Sequence, residues 1–462
     1  MKKTYLSLFA AFCLVSGAAT AQFKTIMTFN GTNGSQCLYS SLLLSGSTLY
    51  GEVATGGTHD SGTIFAIDTD GAGYMNLHNG KRYDGSFYVG TIVRSGNTLF
   101  GISGLGGIHD SGCIYSIKTD GSGYRDLFDF AGSNGLEPIA ALTLSGSTLY
   151  GTTLEGGLLD KGCVYSIDTN GTNFTDLHDF AGPDGANVAA SVIISGNVLY
   201  GATVYGGLND SGTVFSMHTD GTHFKTLLNF NYTNGKLPYG TLVLSGATLY
   251  GTTENGGLLN MGCIYSIDTD GTGYTDLHDF IGPNGAVSLA GLTLLNNTLF
   301  GMCNHGGAND SGCIFSIQTN GAGYKDIYDF NYQGYAPQIN TLAISGETLY
   351  GILPNGGSSY DGIIFSYKDK TLGLDNVKAS AAAVTLYPNP NNGKFTIQSS
   401  VGSGQSWIEV YNVLGEKVYS QLSIVNSLLS IDLSSQPAGV YLYRVTSESG
   451  NVLGQGRFII QN

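Results

Sequence analysis

Short, regularly spaced carboxylates are the first chemistry-bearing feature of this 462-residue sequence. "DTDG" stands at Asp68–Gly71 and Asp268–Gly271, with variants elsewhere. Two acids one residue apart suit a hard cation such as calcium, but the spacing does not complete an EF-hand loop. The same letters between β-branched runs are ordinary hairpin-turn chemistry, which is the preferred reading; calcium stays as the one candidate cofactor. A second set lies in "GG..DSG" loops: Asp60, Asp110, Asp160, Asp210 and Asp310, with Asn260 in the fifth unit. A short acid recurring in a turn bonds its own backbone. His59 and His109 adjoin Asp60 and Asp110, a pairing able to bind a metal, although lone loop histidines are ordinarily solvated. Glu155, Asp160 and Glu254 are loop acids that an enzyme acting on polysaccharide would place across a cleft. No "G.S.G", "HE..H", phosphate loop or Cys/His constellation accompanies them, so no catalytic residue or metal ligand is assigned.

Cys113, Cys163, Cys263 and Cys313 share a position with Thr63 and Thr213, an exchange that fits a small buried residue. Cys303 is different. A hairpin centred near Ala308 sets it opposite Cys313, which makes a Cys303–Cys313 disulfide a candidate in an exported chain. Several aromatics stand outside the repeat register: Tyr83, Phe87, Tyr88, Tyr232, Tyr239, Tyr332 and Tyr335. The variable residue before "GG" is Glu155, Tyr205 or His305 in three of the units. These tyrosines with Glu155 and His305 form the candidate ligand-binding set, suited to stacking on sugar rings. The alternative is that they only cover loop backbone and neighbouring units.

The elements that position these groups follow from a fifty-residue period. "TLYG" recurs with its aromatic at Tyr50, Phe100, Tyr150, Tyr200, Tyr250, Phe300 and Tyr350. A second aromatic recurs at Phe65, Tyr115, Tyr165, Phe215, Tyr265, Phe315 and Phe365. Such periodicity marks a repeat architecture, and its recurring rings read as core. Each unit reads as four short strands; in the third they are 139–144, 148–153, 163–168 and 174–180. Four strands per fifty residues predict a β-propeller blade. The last unit lacks its fourth strand, and "FKTIMTF" at 23–29 supplies it. The expectation is therefore an all-β, seven-bladed β-propeller over 22–368, closed by the N-terminal strand. Small residues such as Ser40, Gly90, Ala140 and Ala190 fit strands crowding one axis. The loops between second and third strands, and those between blades, share one varied face; the opposite face is monotonous.

Residues 1–21 read as a signal peptide, cleaved before Gln22 after Ala19-Thr20-Ala21. No other run predicts a transmembrane segment. A net charge of −15 excludes a nucleic-acid partner, which needs a basic footprint. Residues 369–384, without repeat landmarks, read as a linker.

The repeat core "LYGTT..GG..D.G..YSIDTDGTGYTDLHDF" resembles the GloVer tandem repeat of bacterial surface proteins, a family of known architecture without an agreed activity. At 385–462, "LYPNPNNGKFTIQS", "IEVYNVLGEKVYS", "IDLSSQPAGVYLYRV" and "GRFII" resemble the type A C-terminal sorting domain of type IX secretion. That resemblance implies a small Ig-like β-sandwich, passage across the outer membrane of a Bacteroidota-type bacterium, removal of the domain, and surface attachment or release. The expected function is a monomeric, cell-surface binding or adhesion module for a glycan or other surface polymer. An exported polysaccharide-active enzyme and a structural surface-layer component are the alternatives.

Overall fold

Ring burial explains why every repeat spells Leu-aromatic-Gly. In the third repeat Thr148–Thr152 pairs antiparallel with Cys163–Asp168, and Gly151 stands opposite Tyr165. A Cβ on Gly151 would lie 2.2 Å from the Tyr165 hydroxyl oxygen, so the ring lies directly over bare backbone. The same pairing joins Gly51 to Phe65, Gly201 to Phe215 and Gly301 to Phe315. All seven rings of this set are fully buried, as core residues should be.

The computed structural model describes residues 22–331, 340–357, 359–368, 384–399, 405–412, 417–424, 428–447 and 452–461. The signal-peptide reading, Tyr332, Tyr335 and nearly all of the linker fall outside them. The chain divides into two units, Met1–Lys368 and Asp369–Asn462. The first is built from seven four-stranded antiparallel sheets. Six take their strands in chain order; the third is Thr143–Ser145, Thr148–Thr152, Cys163–Asp168 and Thr175–Asp179. The seventh joins Ala343–Ser345, Thr348–Leu353 and Ile363–Lys368 to Gln22–Thr28, with Thr28 opposite Ile363.

The first strand of a repeat is shorter than its apolar run. Residues 139–142 lie outside the ladder, although Ala140 and Leu142 are buried. Bonds in this innermost layer run sideways between repeats instead. Ser41 N donates to Gly90 O at 2.9 Å, Gly90 N to Tyr39 O at 2.7 Å, and Thr341 N to Ser41 Oγ at 2.8 Å. Thr152 Oγ1 and Thr252 Oγ1 donate to the carbonyls of Ala190 and Ala290. Backbone that cannot pair within its own sheet must find partners elsewhere when buried.

Adjacent sheets share cores. Ile102 and Ile114 of the second repeat pack with Leu149 and Tyr165 of the third. Tyr350, Ile352 and Ile364 of the seventh pack with Leu49 and Phe65 of the first. Phe23 stacks on Tyr328 of the sixth, ring centres 4.6 Å apart.

In the second unit a three-stranded sheet (Val384–Tyr387, Lys394–Ser399, Leu428–Asp432) and a four-stranded sheet (Gln405–Tyr411, Lys417–Ile424, Gly439–Ser447, Val452–Ile460) share one core. Phe395, Ile408, Val410, Val445 and Phe458 form its centre. The "NPNNG" letters pin its last strand: Asn389 Oδ1 accepts from Ile459 N at 3.0 Å, and Asn391 N donates to Ile459 O at 2.9 Å.

Candidate functional site

The "GG" loops are fixed from below by acids. Asp160 Oδ1 accepts from Gly156 N at 3.0 Å while Asp160 itself sits at φ +54°. Asp60, Asp210, Asn260 and Asp310 do the same for their own loops. Asp179 Oδ1 then accepts from Leu158 N at 2.9 Å, tying the loop tip to the outer strand. These acids are turn-formers, as the spacing predicted. The "DTDG" acids behave alike: Asp270 Oδ1 accepts from Thr272 N and Oγ1. Among the described residues no group of three or more His, Cys, Asp or Glu stands ready for a metal ion.

The loops place three of the described aromatics of the set on the surface. Tyr83, Tyr205 and Tyr232 are 68%, 40% and 52% exposed. Tyr232 stands at φ +69°, where Gly132, Gly182 and Gly282 stand at +78° to +97° in other repeats. A bulky residue in that region is strained, and such strain gathers at functional sites. Lys236 Nζ lies 4.4 Å from the Tyr232 ring centre and 3.1 Å from its hydroxyl. Tyr88 is a correction. It is fully buried, packed edge-on to Tyr115 at 5.5 Å within the core between the first two repeats. Its strand, Ser86–Ser95, is longer than the equivalents and turns the ring inward.

A collar forms where the innermost segments meet the loops. Ser41, Thr91, Ala141, Ser191 and Thr241 line a cavity of about 20 Å³, room for one water. Tyr39 and Ile139 also border it. Phe87 packs edge-on to Tyr39, and Ile139 touches the cluster that includes Tyr239. Burial and the neighbouring Tyr205 hydroxyl push the Tyr239 phenol upward. Glu155 pairs with Leu136 by backbone bonds, as Tyr205 does with Ala186 and His305 with Ala286. Glu137, beside Glu155 on the adjoining segment, is raised by burial and then by the Glu155 charge. Glu254 is raised by burial, against the pull of Asn255 and Lys236.

One carboxyl lies apart from all of this. Glu52 is fully buried between the first and second sheets; it accepts a hydrogen bond from the Tyr115 hydroxyl, while Oε2 has no partner among the described residues. Cys303 stands opposite Cys313 in register, both buried and both free thiols. The equivalent pairs are Ser103 Oγ with Cys113 Sγ at 3.1 Å and Thr153 Oγ1 with Cys163 Sγ at 3.3 Å.

The model of the Gloeobacter/Verrucomicrobia repeat matches residues 14–158, 127–310 and 244–393, most of the chain. The chain belongs to the Gloeobacter/Verrucomicrobia repeat family. This repeat protein also matches the secretion system C-terminal sorting domain over 385–461, which indicates export to the cell surface or the extracellular space and engagement with type IX secretion machinery. No helix among its described residues is long and apolar enough to cross a membrane. No curated protein matches it. Its fold is similar to tricorn protease, at 11% identity and TM-score 0.38, covering 93% of this chain but 40% of that one. It is similar to an oligogalacturonate lyase in complex with manganese, at 10% identity and TM-score 0.49, covering 77% and 95%. It is also similar to the β-propeller domain of the Trilobed protease from Pyrococcus furiosus, at 9% identity and TM-score 0.45, covering 71% and 95%. At such scores these likenesses carry nothing about ligand or reaction.

Two features of the repeat protein escaped sequence reading. Tyr39 occupies the same place in the first repeat as Tyr239 in the fifth, and aligning the two would have paired them. Ile108, Leu158, Leu208 and Leu258 follow "GG" and are 75–82% exposed; an apolar residue in a glycine loop was the signal.

Proposed function

We propose that the seven sheets form a closed, seven-bladed propeller acting as a monomeric binding module at the cell surface, with its loop face as the ligand site. The observation that carries this reading is Tyr232, a large ring kept in a left-handed backbone position that other repeats give to glycine. Tyr205 and Tyr83 on other loops, with Tyr239, Glu155 and His305, complete the described part of the proposed surface; Tyr332 and Tyr335, its other members, lie outside the described residues. Exposed rings on a rigid frame suit the flat faces of sugars, so the ligand is a glycan. The full chain is run by affinity electrophoresis through soluble polysaccharides, with reducing ends assayed in parallel. Retardation without new ends, lost in Tyr205→Ala plus Tyr232→Ala, is expected. New reducing ends would instead identify an enzyme, and no retardation across a broad panel would remove the glycan reading.

We also propose that Cys303 and Cys313 form a disulfide in the exported protein. Two thiols lose two protons and pass two electrons to an oxidised dithiol of an exchange partner, before the sheet closes over them. The intact mass should fall by two hydrogens relative to the reduced form and be unchanged by reductant in Cys303→Ser.

A further inference from the structure

The four-stranded sheet of the sorting domain has an outer face that does not look like a solvent face. Strand alternation sends Ile408, Val410, Tyr441, Val445 and Phe458 into the core. It sends Trp407, Val440, Leu442 and Ile459 outward, where they are 44%, 42%, 47% and 39% exposed. An antiparallel sheet with one buried face ordinarily alternates apolar-in with polar-out. Here the alternation fails on three neighbouring strands, and Trp407 is the single tryptophan of the chain. Val440 stands directly opposite Ile459, and Leu442 opposite Tyr411, which makes these four contiguous, while Trp407 lies beyond the Glu409–Arg444 pair on the same face.

The charges on this face are also unlike the rest of the molecule. Lys417, Arg444 and Arg457 face outward with one carboxylate, Glu409. Glu409 is occupied: Lys417 Nζ lies 2.6 Å from Oε1, and the Tyr411 hydroxyl donates to Oε2 at 2.7 Å. The face is therefore cationic in a chain of net charge −15. Exposed apolar groups interspersed with charge of mainly one sign mark a protein-binding surface.

We propose that this outer face, with Trp407 and Leu442 on it, is where the export machinery docks, through a partner surface that carries both apolar and acidic residues. The proposal rests on the sorting-domain assignment, which commits the domain to a protein partner during export, and on the charge of the face, which selects an acidic one. Trp407 and Leu442 are the anchors, because aromatic and aliphatic groups at the centre of an interface dominate its stability. Arg444, between the two anchors, and Arg457, opposite Leu442, provide the positive charge.

The test uses the full chain in a bacterium carrying the secretion system. Trp407→Ser plus Leu442→Ser should lower the secreted fraction about tenfold or more, with uncleaved protein held behind the outer membrane. Arg444→Glu plus Arg457→Glu should give a smaller loss, because exposed charges chiefly set encounter. Leu158→Ser plus Leu208→Ser, on the repeats, should be secreted normally. The urea midpoint of each purified variant separates lost docking from lost folding, since exposed positions leave it unchanged. Normal secretion of the folded Trp407/Leu442 double variant would overturn the proposal. So would a change in oligomeric state without a change in secretion, which would make the face a contact between copies of this chain.

Discussion

Replacing Asp326 by Asn is expected to stabilise the repeat array in alkali and leave it almost unchanged in acid. Asp326 lies on Lys325–Asp329, and its Oδ1 is buried without a hydrogen-bond partner. Burial first, and then the charge of Asp329, lift its pKa from 3.8 to about 7. In the first repeat the two places hold Asn76 and Asn79, and Asn76 Nδ2 donates to Asn79 Oδ1 at 3.2 Å. An amide supplies there the hydrogen that the acid pair obtains only by sharing a proton. Because the folded pKa is raised, the contribution of the carboxyl is full below its ordinary value and is lost as pH rises through about 7. At 1.36 kcal/mol per pH unit the ceiling is about 4 kcal/mol. The side chain is partly open to water and salt, so about 1–2 kcal/mol is the expected gain at about pH 8. At about pH 4 the gain should be below about 0.5 kcal/mol, since acid and amide are both neutral. Urea unfolding of the full chain at both pH values measures it. Equal effects at the two pH values, or a loss at the higher one, would refute the shared-proton argument.

Glu52→Gln should also stabilise at neutral pH, by about 1–3 kcal/mol, because an amide is neutral in the core without taking up the proton that the buried carboxyl needs. Burial holds the Glu52 carboxyl well above its ordinary value, so the gain should shrink as pH falls, which thermal melts across pH would record. Gly151→Ala should cost about 2–3 kcal/mol, because its Cβ meets the Tyr165 ring and a packed core resists added volume; a lowered urea midpoint checks it. Asp160→Asn should be neutral, as Asn260 serves the same loop position, whereas Asp160→Ala should lose about 1–2 kcal/mol with its bond to Gly156 and its left-handed backbone. If Asp160 served catalysis, Asp160→Asn would abolish turnover at unchanged stability.

The repeat array was legible because its determinants are periodic. Gly151 under Tyr165, and Asp160 under Gly156, are local pairings written at fixed offsets, and reading seven copies exposes them. The innermost segment was misjudged because its backbone bonds run to a different repeat, as from Ser41 to Gly90, and hydropathy holds no record of sideways pairing. Tyr88 was misplaced for a related reason. A ring outside the register is expected to face solvent, but the longer Ser86–Ser95 strand carries it between sheets. The strain at Tyr232 was invisible in letters alone, since only the backbone shows that a tyrosine has taken a glycine's conformation. The sorting domain was legible as a family, while the exposure of Trp407 depended on which face of its strand the core claimed.

The pairing of Thr28 with Ile363 has a consequence for how a cell makes this molecule. The first strand leaves the ribosome long before its partner exists, and contacts so distant in sequence close late. The sorting domain is later still, at 385–461. Any chain that carries the export address has therefore already received every strand of the seventh sheet. A product cut short before Lys368 lacks both the completed sheet and the address, and one cut short after it still lacks the whole address, so the order of segments along the gene acts as a length check on what reaches the cell surface.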